Sequence, residues 1–243
     1  MKAAEQKRHA LHHLRLSAPI LLFVSWALLD SARPLVPILG TDYATFLAFS
    51  ACSTLALTTR PRLSPWNPKG RNGQPIYTFL SASIAGWAIG PALATAVMTI
   101  GLDWGWQPTQ PNALSLIGWL NALLLAPLFE EILYRENLLV WLRARVPLAF
   151  ALLLSSLAFA LPHPGSFSRF AALLSGLILA STRSLTHSLW PCIGFHFGLN
   201  LFGVLAAETA DGWIVSFRYG LPIGALALSV TVALERREPG GSK

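Results

Sequence analysis

Eight apolar segments, separated by short polar or basic stretches, set the terms on which this chain can fold. They run at about 16–37, 43–59, 76–101, 113–140, 147–161, 170–182, 188–207 and 213–234. A helix of about 20 apolar residues crosses the hydrocarbon core of a bilayer. Most of the segments approach that length, and those at 147–161 and 170–182 are the shortest. A spanning segment must satisfy its own backbone hydrogen bonds, and these runs lack the two-residue alternation of a barrel strand. The expected architecture is therefore all-α: a polytopic membrane helix bundle of about eight spans, forming one domain over 1–243.

Composition and charge agree with that reading. With 53% hydrophobic and only 12% charged residues, the chain is too apolar for an ordinary soluble domain. A net charge of +7 would point to nucleic acid in a soluble protein. Here, however, the basic residues stand between apolar segments, so the lipid bilayer is the expected partner and nucleic acid is not. In the eight-span arrangement Arg33, Arg169 and Arg218 fall on one side and Arg135 lies within a segment. Every other Lys and Arg falls on the opposite side. The positive-inside rule makes that side cytoplasmic, with both tails, 1–15 and 235–243. Arg143 and Arg145 are expected to anchor the fourth segment at the headgroups by snorkelling.

The basic-then-apolar N-terminus lacks a small-residue cleavage site, so it reads as a retained first helix. His9, His12 and His13 belong to its polar flank, and His187 to a helix start at the interface. Cys52 and Cys192 have no CxxC spacing and read as small core residues. The loop at 58–75, rich in Pro, Gly and basic residues, is a cytoplasmic linker. The loop at 102–112 carries Trp104 and Trp106 without Lys or Arg, as an outer aromatic belt would.

Against this background the fourth segment is anomalous, because Glu130, Glu131, Arg135 and Glu136 interrupt it. A charge at a helix centre costs about 2.5–3.5 kcal/mol on insertion scales, so such groups usually face a polar interior. Three pairs have the i, i+4 spacing that stacks side chains on one helix face: Glu131 and Arg135, Phe159 and His163, His196 and Asn200. Measured from the cytoplasmic ends of their helices at 1.5 Å per residue, Glu130 lies about 16 Å deep, His163 about 24 Å, His196 about 12 Å and Asn200 about 18 Å. Groups from three helices can thus meet within the membrane.

Such a cluster suits water activation. Glu130 or Glu131, helped by a histidine, can take a proton from water. A histidine and an asparagine amide one turn apart can donate to a developing oxyanion. Glu131 and Arg135 can form an ion pair that holds the helix. The residues alone leave other readings open: an ion pair that merely locks a bundle, a proton-coupled transporter, or a non-catalytic scaffold or immunity protein.

The ordered set Glu130-Glu131-x-x-x-Arg135, Phe159-x-x-x-His163 and His196-x-x-x-Asn200 resembles the three motifs of the CAAX-processing and bacteriocin-processing (CPBP, or ABI) intramembrane endopeptidases, relatives of the type II CAAX prenyl endopeptidases. The likeness spans about 127–200. It implies that Glu130 and His163 activate the hydrolytic water, that His196 and Asn200 stabilise the oxyanion, and that Glu131, Arg135 and Phe159 support the site. Glu136 is not required by the pattern. The resemblance further implies no cofactor, with a divalent metal as the alternative; no H-E-x-x-H is present. The implied substrate is a membrane-anchored peptide or protein: a C-terminal tail, a sorting signal, or a bacteriocin-like or CAAX-like chain. The implied location is a bacterial inner (plasma) membrane.

Overall fold

The computed structural model describes residues 20, 22–27, 36, 43–44, 47–48, 50–52, 75–102, 115–208 and 213–236. The tails 1–15 and 237–243, the loop at 58–74, residues 103–112, Arg33 and the histidines at 9, 12 and 13 lie outside them. Among the described residues the regular structure is entirely helical, and the described positions within 20–52 are helical too.

Among the described residues from 75 onward, six helices follow one another. They are α1 (Pro75–Leu102), α2 (Leu116–Arg143), α3 (Leu148–Ala160), α4 (Gly165–Thr186), α5 (Trp190–Glu208) and α6 (Trp213–Arg236). Within α1 and α2, stretches of 26 and 28 residues are long and apolar enough to cross a bilayer. The apolar parts of α3, α5 and α6 are shorter. Two boundaries differ from expectation. The sixth segment is a helix of 22 residues rather than a short run over 170–182, because its polar first turns, with Ser166, Ser168 and Arg169, continue the helix instead of preceding it. The last helix extends through Glu235 and Arg236, which the sequence assigned to a tail.

Helix α2 is not uniform. Ser115 caps its start, accepting from the Gly118 N–H at 3.1 Å. Two stretches then widen to π-helix, Asn121–Leu125 and Glu131–Leu138, on either side of Ala126–Glu130. Pro127 gives the first a cause: it has no N–H to donate, and its ring crowds the carbonyl four residues back. In the second stretch, side chains take up backbone carbonyls. Asn137 Nδ2 donates to the Ile132 carbonyl at 2.8 Å, and Ser155 Oγ of α3 donates to the Tyr134 carbonyl at 3.0 Å. Wide helical turns of this kind recur at functional sites.

Around α2 the core gathers Phe129, Leu133, Tyr134 and Leu139 with Phe159 of α3 and Ala172 and Ala180 of α4. A second cluster joins Ala82 and Ala85 of α1, Leu179 of α4, and Cys192 and Phe195 of α5. Helices α1 and α5 approach backbone to backbone. A Cβ on Gly86 would collide with the Phe195 carbonyl, one on Gly194 with the Phe79 carbonyl, and one on Gly198 with the Ser83 carbonyl. That contact fixes the height of α5, and with it His196.

Both cysteines are free and buried. His187 is exposed and ends α4 in the left-handed conformation, φ 56°. Arg145 is exposed at the end of α2, stacked on Trp141 with its guanidinium 4.1 Å from the ring centre. Arg183, which sequence reasoning counted among the cytoplasmic loop charges, is instead 3% exposed inside the bundle, because a buried carboxylate from α2 meets it.

Candidate active site

The charged stretch of α2 turns inward. Residues 131 to 139 are all buried, and the side chains of Glu131 and Arg135 have no exposed surface. Arg135 Nε stands 3.3 Å from Glu131 Oε2, one turn back on the same helix. The guanidinium is held on two further sides. Its Nη1 donates to Ser155 Oγ at 3.4 Å, and its carbon lies 4.8 Å from the centre of the Phe159 ring. An ionised group in an apolar interior is tolerated only with such partners.

Helix α5 brings His196 against both glutamates. Its Nδ1 is 3.0 Å from Glu131 Oε1, and its Nε2 is 3.6 Å from Glu130 Oε2. Glu131 is paired with Arg135 and acts as a carboxylate acceptor, so His196 Nδ1 carries a hydrogen and donates it. The other ring nitrogen then faces Glu130. Of the two acids Glu130 is the more open, with 17% of its side chain exposed against none for Glu131.

His163 stands in the turn between α3 and α4, where Gly165 at φ 70° helps reverse the chain. Its Nδ1 lies 3.0 Å from the Phe159 carbonyl. A carbonyl only accepts, so this nitrogen is the donor, and Nε2 of the neutral ring keeps a lone pair. Arg169 Nε fastens the turn by donating to the His163 carbonyl at 2.9 Å.

Phe159 is the common neighbour. Its ring centre is 5.1 Å from that of His163 and 5.6 Å from that of His196, and it meets Tyr134 edge-on at 5.4 Å. Residues of all three motifs therefore surround one buried aromatic ring. Asn200 is placed differently: its Nδ2 donates to the Ala122 carbonyl, in the first π-helical stretch of α2, at 2.7 Å. An amide nitrogen has a second N–H, which this bond leaves over.

The structure adds residues that sequence reasoning passed over. Ser155 lies one turn before Phe159 on the same face and meets Arg135. Asn137 braces the π-helix, and Glu136 accepts from Arg183 Nη2 of α4 at 2.9 Å. The signal for Ser155 was present, since it extends the Phe159 and His163 spacing backwards. Arg183 carried none, because a basic residue at the end of an apolar run is indistinguishable from a topological charge. Among the described residues no three His, Cys, Asp or Glu side chains are grouped as a metal site.

Residues 112–202 fit the family described as type II CAAX prenyl endopeptidase Rce1-like. Neither the curated proteins nor the solved structures contain a match. The matched stretch contains every motif residue from Glu130 to Asn200, all of α2 and α3, and α5 as far as residue 202. Together with the long apolar helices, it points to an integral membrane protein. Over residues 112–202 the chain is similar to the CAAX protease family, in its Rce1-like group.

Proposed function

We propose that the protein is an intramembrane endopeptidase that hydrolyses a peptide bond with water activated by Glu130. The observation that carries this reading is the 3.6 Å approach of Glu130 to His196, with His196 braced on its other nitrogen by Glu131. One proton shared between Glu130 and His196 sets both for their tasks. With that proton on His196 Nε2, Glu130 is a carboxylate able to act as base, and His196 is a cationic donor aimed at the same space. The two roles need the same protonation state.

In the reaction Glu130, with His163 Nε2 as a second acceptor, takes a proton from water as its oxygen attacks the scissile carbonyl. The resulting oxyanion accepts hydrogen bonds from His196 Nε2–H and the spare N–H of Asn200. Collapse breaks the C–N bond, and the departing amine takes the proton held by Glu130. Glu131 and Arg135 keep His196 in place, and Phe159 sets the two imidazoles at one spacing. No metal or other cofactor enters this scheme.

The substrate class is a membrane-associated peptide or protein: a C-terminal tail, a sorting signal, or a bacteriocin-like or CAAX-like chain. The cleavage position lies toward the cytoplasmic half of the bilayer. We assign the protein eight spans in a bacterial inner membrane, with both termini cytoplasmic and the whole chain as one domain. The test uses purified protein and a library of transmembrane peptides, comparing wild type, Glu130→Ala and a chelator-treated sample. Cleavage lost in the variant but surviving chelation supports the reading. Cleavage by the variant at the wild-type rate overturns it.

A further inference from the structure

We infer that Ser155 of α3 is a positioning residue for the site: its hydroxyl fixes the Arg135 guanidinium, so that Arg135 stays on one oxygen of Glu131 and the other is left to His196. This role rests on the endopeptidase reading above and adds to it a residue outside the three motif pairs. Ser155 has no exposed surface. Its hydroxyl meets α2 at two points, the Tyr134 carbonyl and the Arg135 side chain. A hydroxyl has one hydrogen and two lone pairs. The hydrogen of Ser155 goes to the Tyr134 carbonyl, at 3.0 Å, because a carbonyl only accepts. Toward Arg135 the same oxygen can then only accept, and it takes the Nη1 hydrogen at 3.4 Å.

The Tyr134 carbonyl also receives the Leu139 N–H at the end of the π-helical stretch, so it keeps a partner without Ser155. Arg135 does not. Among the described residues, Ser155 is the acceptor to which the guanidinium donates. Its Nε faces Glu131 Oε2 at 3.3 Å as an ion pair, and neither Nε nor Nη2 has an acceptor in hydrogen-bonding geometry. An ion pair alone tolerates rotation of the planar fork. A hydrogen bond at one corner, with the Phe159 ring centre 4.8 Å from the guanidinium carbon, does not. Ser155 and Phe159 stand one turn apart on α3, so one helix face supplies both restraints. With Oε2 of Glu131 held in this way, Oε1 meets His196 Nδ1 at 3.0 Å, and His196 Nε2 faces Glu130 at 3.6 Å. The influence of Ser155 therefore runs through Arg135, Glu131 and His196 to the proposed base, each step a contact of stated length.

Loss of the hydroxyl frees the fork to turn, and Glu131 with it, so His196 loses its fixed direction. His196 acts on the developing oxyanion and on the proton of Glu130, so the loss falls on kcat. Ser155→Ala lowers kcat about 10-fold, leaves KM within about twofold, and keeps melting within about 5 °C of wild type. Ser155→Thr retains the hydroxyl and brings kcat back to within about threefold of wild type. Arg135→Lys replaces the fork with one ammonium, which keeps a cation for Glu131 but has no rigid plane for Ser155 to hold. In that background Ser155→Ala lowers kcat by less than about threefold, because residues that act through one another are not additive.

The experiment measures kcat and KM of the four variants, Ser155→Ala, Ser155→Thr, Arg135→Lys and Ser155→Ala with Arg135→Lys, on the library peptide that wild type cleaves best. Thermal melting in detergent checks folding. A slow Ser155→Ala, recovery in Ser155→Thr and a small further loss in the double variant establish the inference. Wild-type kcat in Ser155→Ala overturns it, as does a folded Ser155→Thr as slow as Ser155→Ala. Losses that multiply in the double variant overturn it too, since a hydroxyl that only packs α3 on α2 acts independently of the fork. If Arg135→Lys is too slow to measure, the comparison of alanine with threonine decides alone. If Ser155→Ala does not fold, Ser155→Cys, a weak donor and acceptor of similar shape, takes its place with the same expected and overturning results. Glu130→Gln run alongside separates the two levels. Its retained cleavage sinks the endopeptidase reading, whereas a dead Glu130→Gln beside a fully active Ser155→Ala sinks only the role of Ser155.

Discussion

Toward α1, helix α5 has no side chain at its points of closest approach: Gly194 and Gly198 lie against the Phe79 and Ser83 carbonyls. Toward α2 the same helix reaches with polar groups, His196 to Glu130 and Glu131, and Asn200 to the Ala122 carbonyl. The first contact is steric and sets how far and at what height the helices lie. The second is directional and sets which atoms carry charge and hydrogens. Close backbone approach through small residues is a general means of helix association in membranes, whereas intramembrane charges are rare and tied to function. Changes on the polar side should therefore separate activity from stability, and changes on the glycine side should not.

The widest separation is expected for Glu130→Gln. The substitution keeps the shape of a partly exposed side chain that makes no ion pair with Arg135. Loss of a positioned base lowers kcat by about 10³–10⁴, at the top of the range for such groups, with the melting temperature near that of wild type. A cleavage assay paired with thermal melting reads both, and parallel losses would erase the distinction. Arg135→Gln tests the other end of the polar side. It leaves Glu131 buried without its cation, and breaking such a pair costs about 3–5 kcal/mol of stability. Melting should register that loss, and reduced cleavage should accompany it because His196 leans on Glu131. A melting temperature equal to wild type would mean that the pair does not hold α2.

On the glycine side, Gly198→Val forces α5 away from the Ser83 carbonyl. Overpacking of this kind costs about 1–3 kcal/mol. Here the displacement also moves His196, two residues earlier, so stability and cleavage should fall together. A folded Gly198→Val variant of normal stability but no activity would contradict the idea that this face only sets register.

How much of this was legible in the sequence depends on the kind of contact. Helical class and the three motif pairs follow from apolar length and from i, i+4 spacing, both local properties of the chain. The Glu131 and Arg135 pair is local too, one turn apart on one helix. What spacing could not give is the direction in which a helix faces. His196 and Asn200 share a face of α5, yet one meets carboxylates and the other a backbone carbonyl, since the surface opposite them changes along α2. The π-helical turns were hidden as well, because they depend on Pro127 and on donors supplied by Asn137 and Ser155. Arg183 shows the sharpest limit: its partner is 47 positions away, and only packing reveals that its charge is structural rather than topological.

Phe159 belongs to neither side of the comparison, and for that reason gives its finest test. It is apolar and buried, as a core residue should be, yet its ring touches His163, His196, Tyr134 and the Arg135 guanidinium. Phe159→Leu keeps an apolar filler of similar bulk and removes only the π face and edge. Aromatic pairs contribute about 0.5–1.5 kcal/mol beyond their buried area, and a cation over a ring contributes a similar amount. If the ring merely fills space, stability falls by about 1 kcal/mol and kcat is unchanged. If it sets the spacing of the two imidazoles, kcat falls several-fold with KM unaltered, and Phe159→Tyr restores it if the added hydroxyl is accommodated. We expect the second outcome, because a leucine can occupy the volume of Phe159 but offers no flat surface to fix the tilt of either histidine.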